Sequence, residues 1–349
     1  MNNPKLMFVK FIHSTREHDL AKPKKKGLAL ENQVREGDKD VMMKWNDGNH
    51  FRKFLKAAGV ALDGDGNPAE SDLYFWGEWE PASYVVEALQ GGDKKRMPMF
   101  LHEPVLFVNE KNGGTNTDPL VLGKNFMYSC CQQHKDKKKP TKKVISTRMR
   151  ALKKGSIIVF GSQIDRDASV PKFVVDTVFV VGDSQEYTSE NARKKLTNFV
   201  KEENYLKIMG IEDWNKPQGG QHAGGCVSIA CGDAGAGEKK CGTVSEEPFT
   251  SYRGVTYDEC PDGPFCFVPC KTALSEKDGK RMGFERPVLT LTRGGVDIIN
   301  AKQPNGFKTT ELDSEDDAKE LWEQIKQSIL DQGFSLGVHF DYRKEVLPK

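Results

Sequence analysis

The sequence predicts an α+β fold: a mixed or mostly antiparallel β core flanked by about four helices. Three observations support this. Short runs of β-branched and aromatic residues recur along the 349 residues, bounded by Gly, Pro, Asn and Asp. Helical periodicities are few and do not alternate regularly with those runs, as a doubly wound sheet would require. The two richest runs, SIIVFGS at 156–162 and FVVDTVFVV at 173–181, flank a polar, Pro-containing connection and read as paired core strands.

Taken in order, LMFVKFI at 6–12 is the opening strand, followed by a lysine-rich loop. A short strand at 41–45 closes in the turn Asn46-Asp47-Gly48. A helix is predicted from Asn49 to Ala58, with Phe51, Phe54, Leu55 and Ala58 on one face and Gly59 as its stop. The acidic DGDGN at 63–67 lacks the Glu of a calcium loop at the twelfth position and reads as a turn. LYFWGEWE at 73–80 is a strand whose alternation places Tyr74, Trp76, Glu78 and Glu80 on one face. Pro81 suits the first position of a helix through PASYVVEALQ, ended by Gly91-Gly92.

A strand follows at 101–108, and LVLGKNFMYS after Pro119 is a strand or a loop over the site. After the central pair, Ser189 caps a predicted helix over 190–203. Residues 218–242 hold eight glycines and read as a flexible connection. Strands are expected at 265–268, 287–292 and 335–342. Before the last of these, Ser314 and Asp317 form a capping box for a helix whose stripe is Leu321, Trp322, Ile325 and Ile329, with Gly333 as its stop. The expected organisation is a core over 1–215 that holds the site, a glycine-rich link over 216–245, and a strand-and-helix portion over 246–349 that packs on the core.

Charge is concentrated. The net charge is +2, yet residues 135–154 carry ten Lys or Arg and one acid, a local +9 that leaves the other 329 residues at −7. No apolar stretch reaches the ~18–20 residues that span a bilayer, and the first residues lack a signal peptide's apolar centre. A cytoplasmic protein with no membrane partner is the expectation. The eight cysteines include the adjacent pair Cys130-Cys131 and no C-x-x-C spacing, so they read as reduced thiols that pack as small apolar groups, with no metal site.

Four features carry chemistry. In the aromatic strand, Tyr74, Trp76 and Trp79 offer flat surfaces for stacking on a base, and Glu78 a carboxylate for acid–base work. Asp176 lies among valines, where a charge is costly without a partner, so it is either a structural acceptor or a tuned catalytic acid. Asp118, before Pro119, forms a turn or aims a carboxylate into a pocket. Glu78, Asp118 and Asp176 are therefore the candidate catalytic residues, with Ser162 and Gln163 beside them as candidate base contacts. The basic run supplies Lys137, Lys138, Lys139, Lys142, Lys143, Arg148 and Arg150 for phosphates, whose neutralisation releases counterions whatever the base sequence. There is no G-x-S-x-G elbow and no phosphate-binding P-loop.

Basic residues, the turn Lys153-Lys154-Gly155, the strand SIIVFGS and the strand FVVDTVFVV resemble, over about thirty residues, the centre of PUA-like domains of the ASCH, EVE and YTH kind. The acid that commonly follows the glycine there is Ser156 here. The resemblance implies a small barrel and recognition of RNA or modified bases, in some members with turnover. Together these features point to an enzyme that binds nucleic acid, DNA favoured over RNA, flips a modified base into an aromatic and carboxylate pocket and cleaves its N-glycosidic bond, without a cofactor. The alternatives are a non-catalytic reader of a modified base and a sensor of a free nucleotide.

Overall fold

The protein is described by a computed structural model that covers residues 3–13, 17, 33–34, 41–43, 52–79, 81, 83–93, 95–107, 117–136, 144–188, 190–200, 203–208, 248–300, 303 and 306–346. Strands account for 50% of these residues and helices for 13%. This corrects the expectation of four flanking helices around one β core. Among the described residues only Ala192–Phe199 and Glu315–Leu330 reach two helical turns, and the strands are shared between two large sheets and several ribbons instead of one barrel.

Two of the expected helices are strands. Lys53–Leu62 pairs with Pro68–Gly77 over ten residues, Lys53 opposite Gly77 through Leu62 opposite Pro68. Its run of Ala and Leu suits a helix locally, but strand partners along both edges decide the outcome. Gly59 is not a helix stop: a Cβ there would lie 2.0 Å from the His339 carbonyl oxygen of the neighbouring strand. Ser83–Ala88 is likewise a strand, as its Tyr-Val-Val core favours. The helix of the 190–203 region is shorter, Ala192–Phe199, and its expected cap Ser189 lies outside the described residues. The last helix forms as expected, with Ser314 Oγ accepting from the Asp317 amide at 3.1 Å.

The first sheet runs, edge to edge, Gly306–Glu311, Met7–His13, Ile157–Ile164, Lys172–Tyr187, Phe249–Gly254, Asn125–Tyr128 and Leu120–Leu122. Met7–His13 is parallel to Ile157–Ile164, and the latter is antiparallel to Lys172–Tyr187, the predicted central pair. The segment after Pro119 is thus a hairpin, Leu122 opposite Asn125. The second sheet contains Val41–Met43, Ser83–Ala88, Phe100–Phe107, Lys53–Leu62, Ser335–Asp341, Val268–Lys271 and Pro68–Gly77. Strands from the C-terminal third enter both sheets: Gly306–Glu311 pairs with Met7–His13, and Ser335–Asp341 with Lys53–Leu62. One apolar core, including Phe11, Phe75, Phe160, Phe179, Trp322 and Phe340, joins them.

The central pair carries a bulge that matters for the site. Phe160 faces Thr177 and Gly161 faces Val175, so Asp176 is the extra residue on the long strand. A bulge re-aims the side chain it displaces. It also brings the strands so close at Gly161 that a Cβ there would lie 2.0 Å from the Val174 carbonyl oxygen. The glycine–aspartate juxtaposition is therefore built by the backbone.

Candidate functional site

Side chains from both sheets meet in a buried, charged network. His13 ends the strand Met7–His13, Arg52 immediately precedes Lys53–Leu62, and Glu78 immediately follows Pro68–Gly77. Asp176 comes from the bulge, and Ser162 from the facing strand. Arg52 reaches both carboxylates: its Nη1 lies 2.8 Å from Glu78 Oε2 and its Nε 2.8 Å from Asp176 Oδ2. Arg286 Nη1 donates to Asp176 Oδ1 at 3.2 Å and to Ser162 Oγ at 2.9 Å. At the other end, His13 Nδ1 lies 3.0 Å from Glu78 Oε2, and Cys131 Sγ lies 4.0 Å from His13 Nε2. The side chains of His13, Arg52, Glu78, Asp176, Ser162 and Arg286 are buried, while Cys131, and Glu78 taken as a whole residue, are half-buried, so solvent reaches this end of the network.

The charges decide each other's state. Burial works against the Arg52 guanidinium, but Asp176 and Glu78 outweigh it and raise its pKa. Arg286 is shifted down, first by burial and then by the like charge of Arg52, against the pull of Asp176. Buried ions are tolerated where they are paired in this way, and such clusters concentrate at functional sites.

Asp118 holds the loop that carries Cys131. It accepts the amides of Ser129 at 2.7 Å and of Cys130 and Cys131 at 2.8 Å each. Burial nevertheless pushes its carboxyl up to about 6, against those three bonds. The turn that follows is closed by the Gln133 amide donating to the Cys130 carbonyl at 3.1 Å, with Gln132 at φ 61°. That is the left-handed conformation a type II turn needs at its third residue. The Tyr128 hydroxyl donates to the Cys131 carbonyl at 2.5 Å.

Of the three carboxylates named from sequence, Glu78, just past its strand, and Asp176 meet in the network, whereas Asp118 is tied to the backbone amides of the Cys131 loop. Ser162 joins them through Arg286. Gln163 points elsewhere, accepting the Gln303 amide at 3.2 Å. The aromatic residues do not form an open stacking cage. Trp76 is 2% exposed, lies under the Arg286 guanidinium at 5.0 Å and donates to the Phe284 carbonyl at 2.8 Å. Trp79 is 1% exposed and packs edge-on against Tyr342. Tyr74 is buried, and its hydroxyl accepts from Arg281 at 3.3 Å. The Trp76 indole backs the network through Arg286.

Of the expected phosphate contacts, Lys137, Lys138, Lys139, Lys142 and Lys143 lie outside the described residues. Arg150 is engaged by Glu186 at 2.9 Å and Ser146 at 2.7 Å. Arg148 borders a depression of about 150 Å³ shared with Asn3, Lys5, Met7 and Ala151. That depression lies at the start of the Met7–His13 strand, whereas the network is at its end, roughly 20 Å away at strand rise. Cys266 and Cys270 are buried, and burial pushes both thiols up, Cys270 to about 12, as packing groups require.

Sequence alone does not single out His13, Arg52, Cys131 or Arg286. No spacing signals them, since His13 and Cys131 are brought together across 118 positions by the sheet alone. Comparison with protein-family models, curated proteins and solved structures returned no match to this chain. No described helix is long and apolar enough to cross a membrane.

Proposed function

We propose that this chain is a nucleic-acid-binding hydrolase that acts on a modified base, DNA favoured over RNA, and cleaves its N-glycosidic bond at the network centred on Arg52. One observation carries the reading: Glu78 and Asp176, from separate segments, share Arg52 in one buried constellation with Arg286 and His13, and Asp118 fixes the backbone of the neighbouring Cys131. Glycosidic cleavage builds positive charge on the sugar and negative charge on the departing base. In this reading His13, 3.0 Å from Glu78, hands a proton to the base, and the carboxylates behind it favour the cationic sugar.

The basic run over 135–154, which leads into the strand of Ser162, supports the choice of a polyanionic partner. So does the resemblance of the Lys153-Lys154-Gly155 entry to PUA-like domains. The buried indoles weigh against a base clamped between Trp76 and Trp79, so the base would enter from the Cys131 side. A reader that binds without turnover uses the same groups and is the second reading, favoured by how fully both arginines are already paired.

The test is incubation with DNA carrying several base modifications, followed by mass analysis of released bases. Release by the wild type, lost in Glu78→Gln, supports the proposal. Binding that weakens steeply with salt but leaves every base in place selects the reader. Neither binding nor release overturns both.

A further inference from the structure

We propose that Cys131 is a covalent nucleophile, with His13 as its general base and Glu78 as the residue that orients His13, acting on an ester or amide carbonyl. The inference rests on the same site being catalytic but not on which bond of a substrate is cut. A thiol becomes a strong nucleophile when a base accepts its proton and a third group fixes that base. All three are present, on three segments that only the fold unites: Sγ to Nε2 at 4.0 Å and Nδ1 to Glu78 Oε2 at 3.0 Å.

The carboxylate 3.0 Å from Nδ1 favours the tautomer protonated there, by charge rather than by an aligned hydrogen bond, and that tautomer leaves the Nε2 lone pair towards the sulfur. A histidine in the other tautomer would place two acceptors against each other at Glu78. Glu78 is itself held by Arg52 at 2.8 Å, so the imidazole has a fixed support. Cys131 is half-buried, so solvent reaches this end of the network, as attack by the sulfur requires. Its backbone is fixed by the Asp118 carboxylate on the Cys131 amide, by Tyr128 on its carbonyl and by the left-handed Gln132 turn.

The Arg52 guanidinium favours the thiolate, and the carboxylates of Glu78 and Asp118 work against it. Among the described residues, those that face it or its immediate partners are His13 and Glu78, the Arg52 guanidinium behind them, Asp118 and Tyr128 at its backbone, and Cys130 beside it. Asp176 and Arg286 act at one remove through Arg52. Arg52 is within electrostatic reach of Cys131. An imidazolium and a guanidinium on the sulfur's inner side stabilise the anion.

In the reaction, the Cys131 thiol gives its proton to His13 Nε2 as the sulfur bonds to the carbonyl carbon. The bond from that carbon to the oxygen or nitrogen leaving group breaks, and the leaving group departs with the proton from His13. Water, deprotonated by His13, then attacks the thioester. A carboxylic acid is released and the thiol is restored, so the sum is hydrolysis with no oxidant or reductant.

The experiment is alkylation of the whole chain by iodoacetamide, with the rate at each cysteine read by peptide mass analysis from pH 5 to 9. Cys260, which is also half-buried and in no disulfide, is the internal standard. A second arm uses p-nitrophenyl acetate to trap an acetyl group on Cys131. The expected result is alkylation of Cys131 at pH 6 at least about tenfold faster than Cys260, with a midpoint well below the ~8.5 of an ordinary thiol. His13→Ala should abolish that advantage, and Glu78→Gln should reduce it. A midpoint near 8.5 in the wild type, with no acetyl adduct, overturns the proposal whether or not the variants fold. If Cys131 is acetylated while no base leaves DNA, the glycosidic reading fails and this one stands. If base release survives Cys131→Ser and the thiol titrates normally, this one fails alone.

Discussion

Arg52 Nε lies 2.8 Å from Asp176 Oδ2, and the same guanidinium reaches Glu78 through Nη1 at the same distance. The pair joins the two sheets, since Asp176 sits in a bulge of the first and Arg52 at the start of a strand in the second. A planar, forked cation serves two carboxylates at once; the point charge of a lysine does not. Arg52→Met should therefore destabilise the fold by about 3–5 kcal/mol, because two buried carboxylates lose their shared partner. Arg52→Lys should recover only part of that loss. Urea unfolding of the two variants checks the order.

Asp118 makes the pH dependence of stability legible. Its carboxyl titrates at about 6 in the fold against 3.8 without it. Between those values the folded protein binds the extra proton, so the contribution of Asp118 to stability is greatest below pH 4 and is lost as pH rises through 6. The stability of the wild type relative to Asp118→Asn should fall by about 3 kcal/mol across that window and level off above it. A difference that is flat from pH 4 to 8 contradicts the assignment.

Lys10 gives the opposite slope. It is buried, donates to the Ile299 carbonyl at 2.7 Å, and its amine is lowered to about 8, chiefly by burial and then by Lys308. The folded protein binds fewer protons than the unfolded chain between about 8 and 10.5, so stability rises with pH there. The lost bond to Ile299 in Lys10→Met is the same at every pH and shifts the curve without tilting it. Relative to that variant the wild type should gain stability, by about 1–3 kcal/mol, from pH 8 to 10.5.

Gly59 is set by its neighbour. With the His339 carbonyl oxygen 2.0 Å from where a Cβ would stand, Gly59→Ala must push two paired strands apart. The cost should be at least about 1–3 kcal/mol, as for other overpacked sites. Gly64, with nothing within 4 Å of a Cβ, is the control and should change by less than about 0.5 kcal/mol on conversion to Ala.

These positions show what a sequence can and cannot disclose. The central strands are legible because β-branched runs have few other uses, and the last helix because Ser314 and Asp317 mark its start. The stretch from Asn49 to Ala58 reads wrongly as a helix because its Ala and Leu suit one locally, and the decision is made by the pairing of Lys53–Leu62 with Pro68–Gly77. Asp176 stands out because a charge within a valine run demands a partner. Its partners do not, since Arg52 and Arg286 lie 124 and 110 residues away and only the folded sheets choose them. The aromatic run is legible as a strand, but alternation does not say that both of its faces are covered.

The coupling of Glu78 to Asp176 through Arg52 is the relationship everything else depends on. Unfolding of Glu78→Gln, Asp176→Asn and the double variant measures it. Either single change leaves Arg52 one carboxylate, and the pair of changes leaves none, so the double variant should lose more than the sum of the singles by at least about 1 kcal/mol. Losses that add to within about 0.5 kcal/mol would mean that no guanidinium is shared, and that the network does not act as a unit.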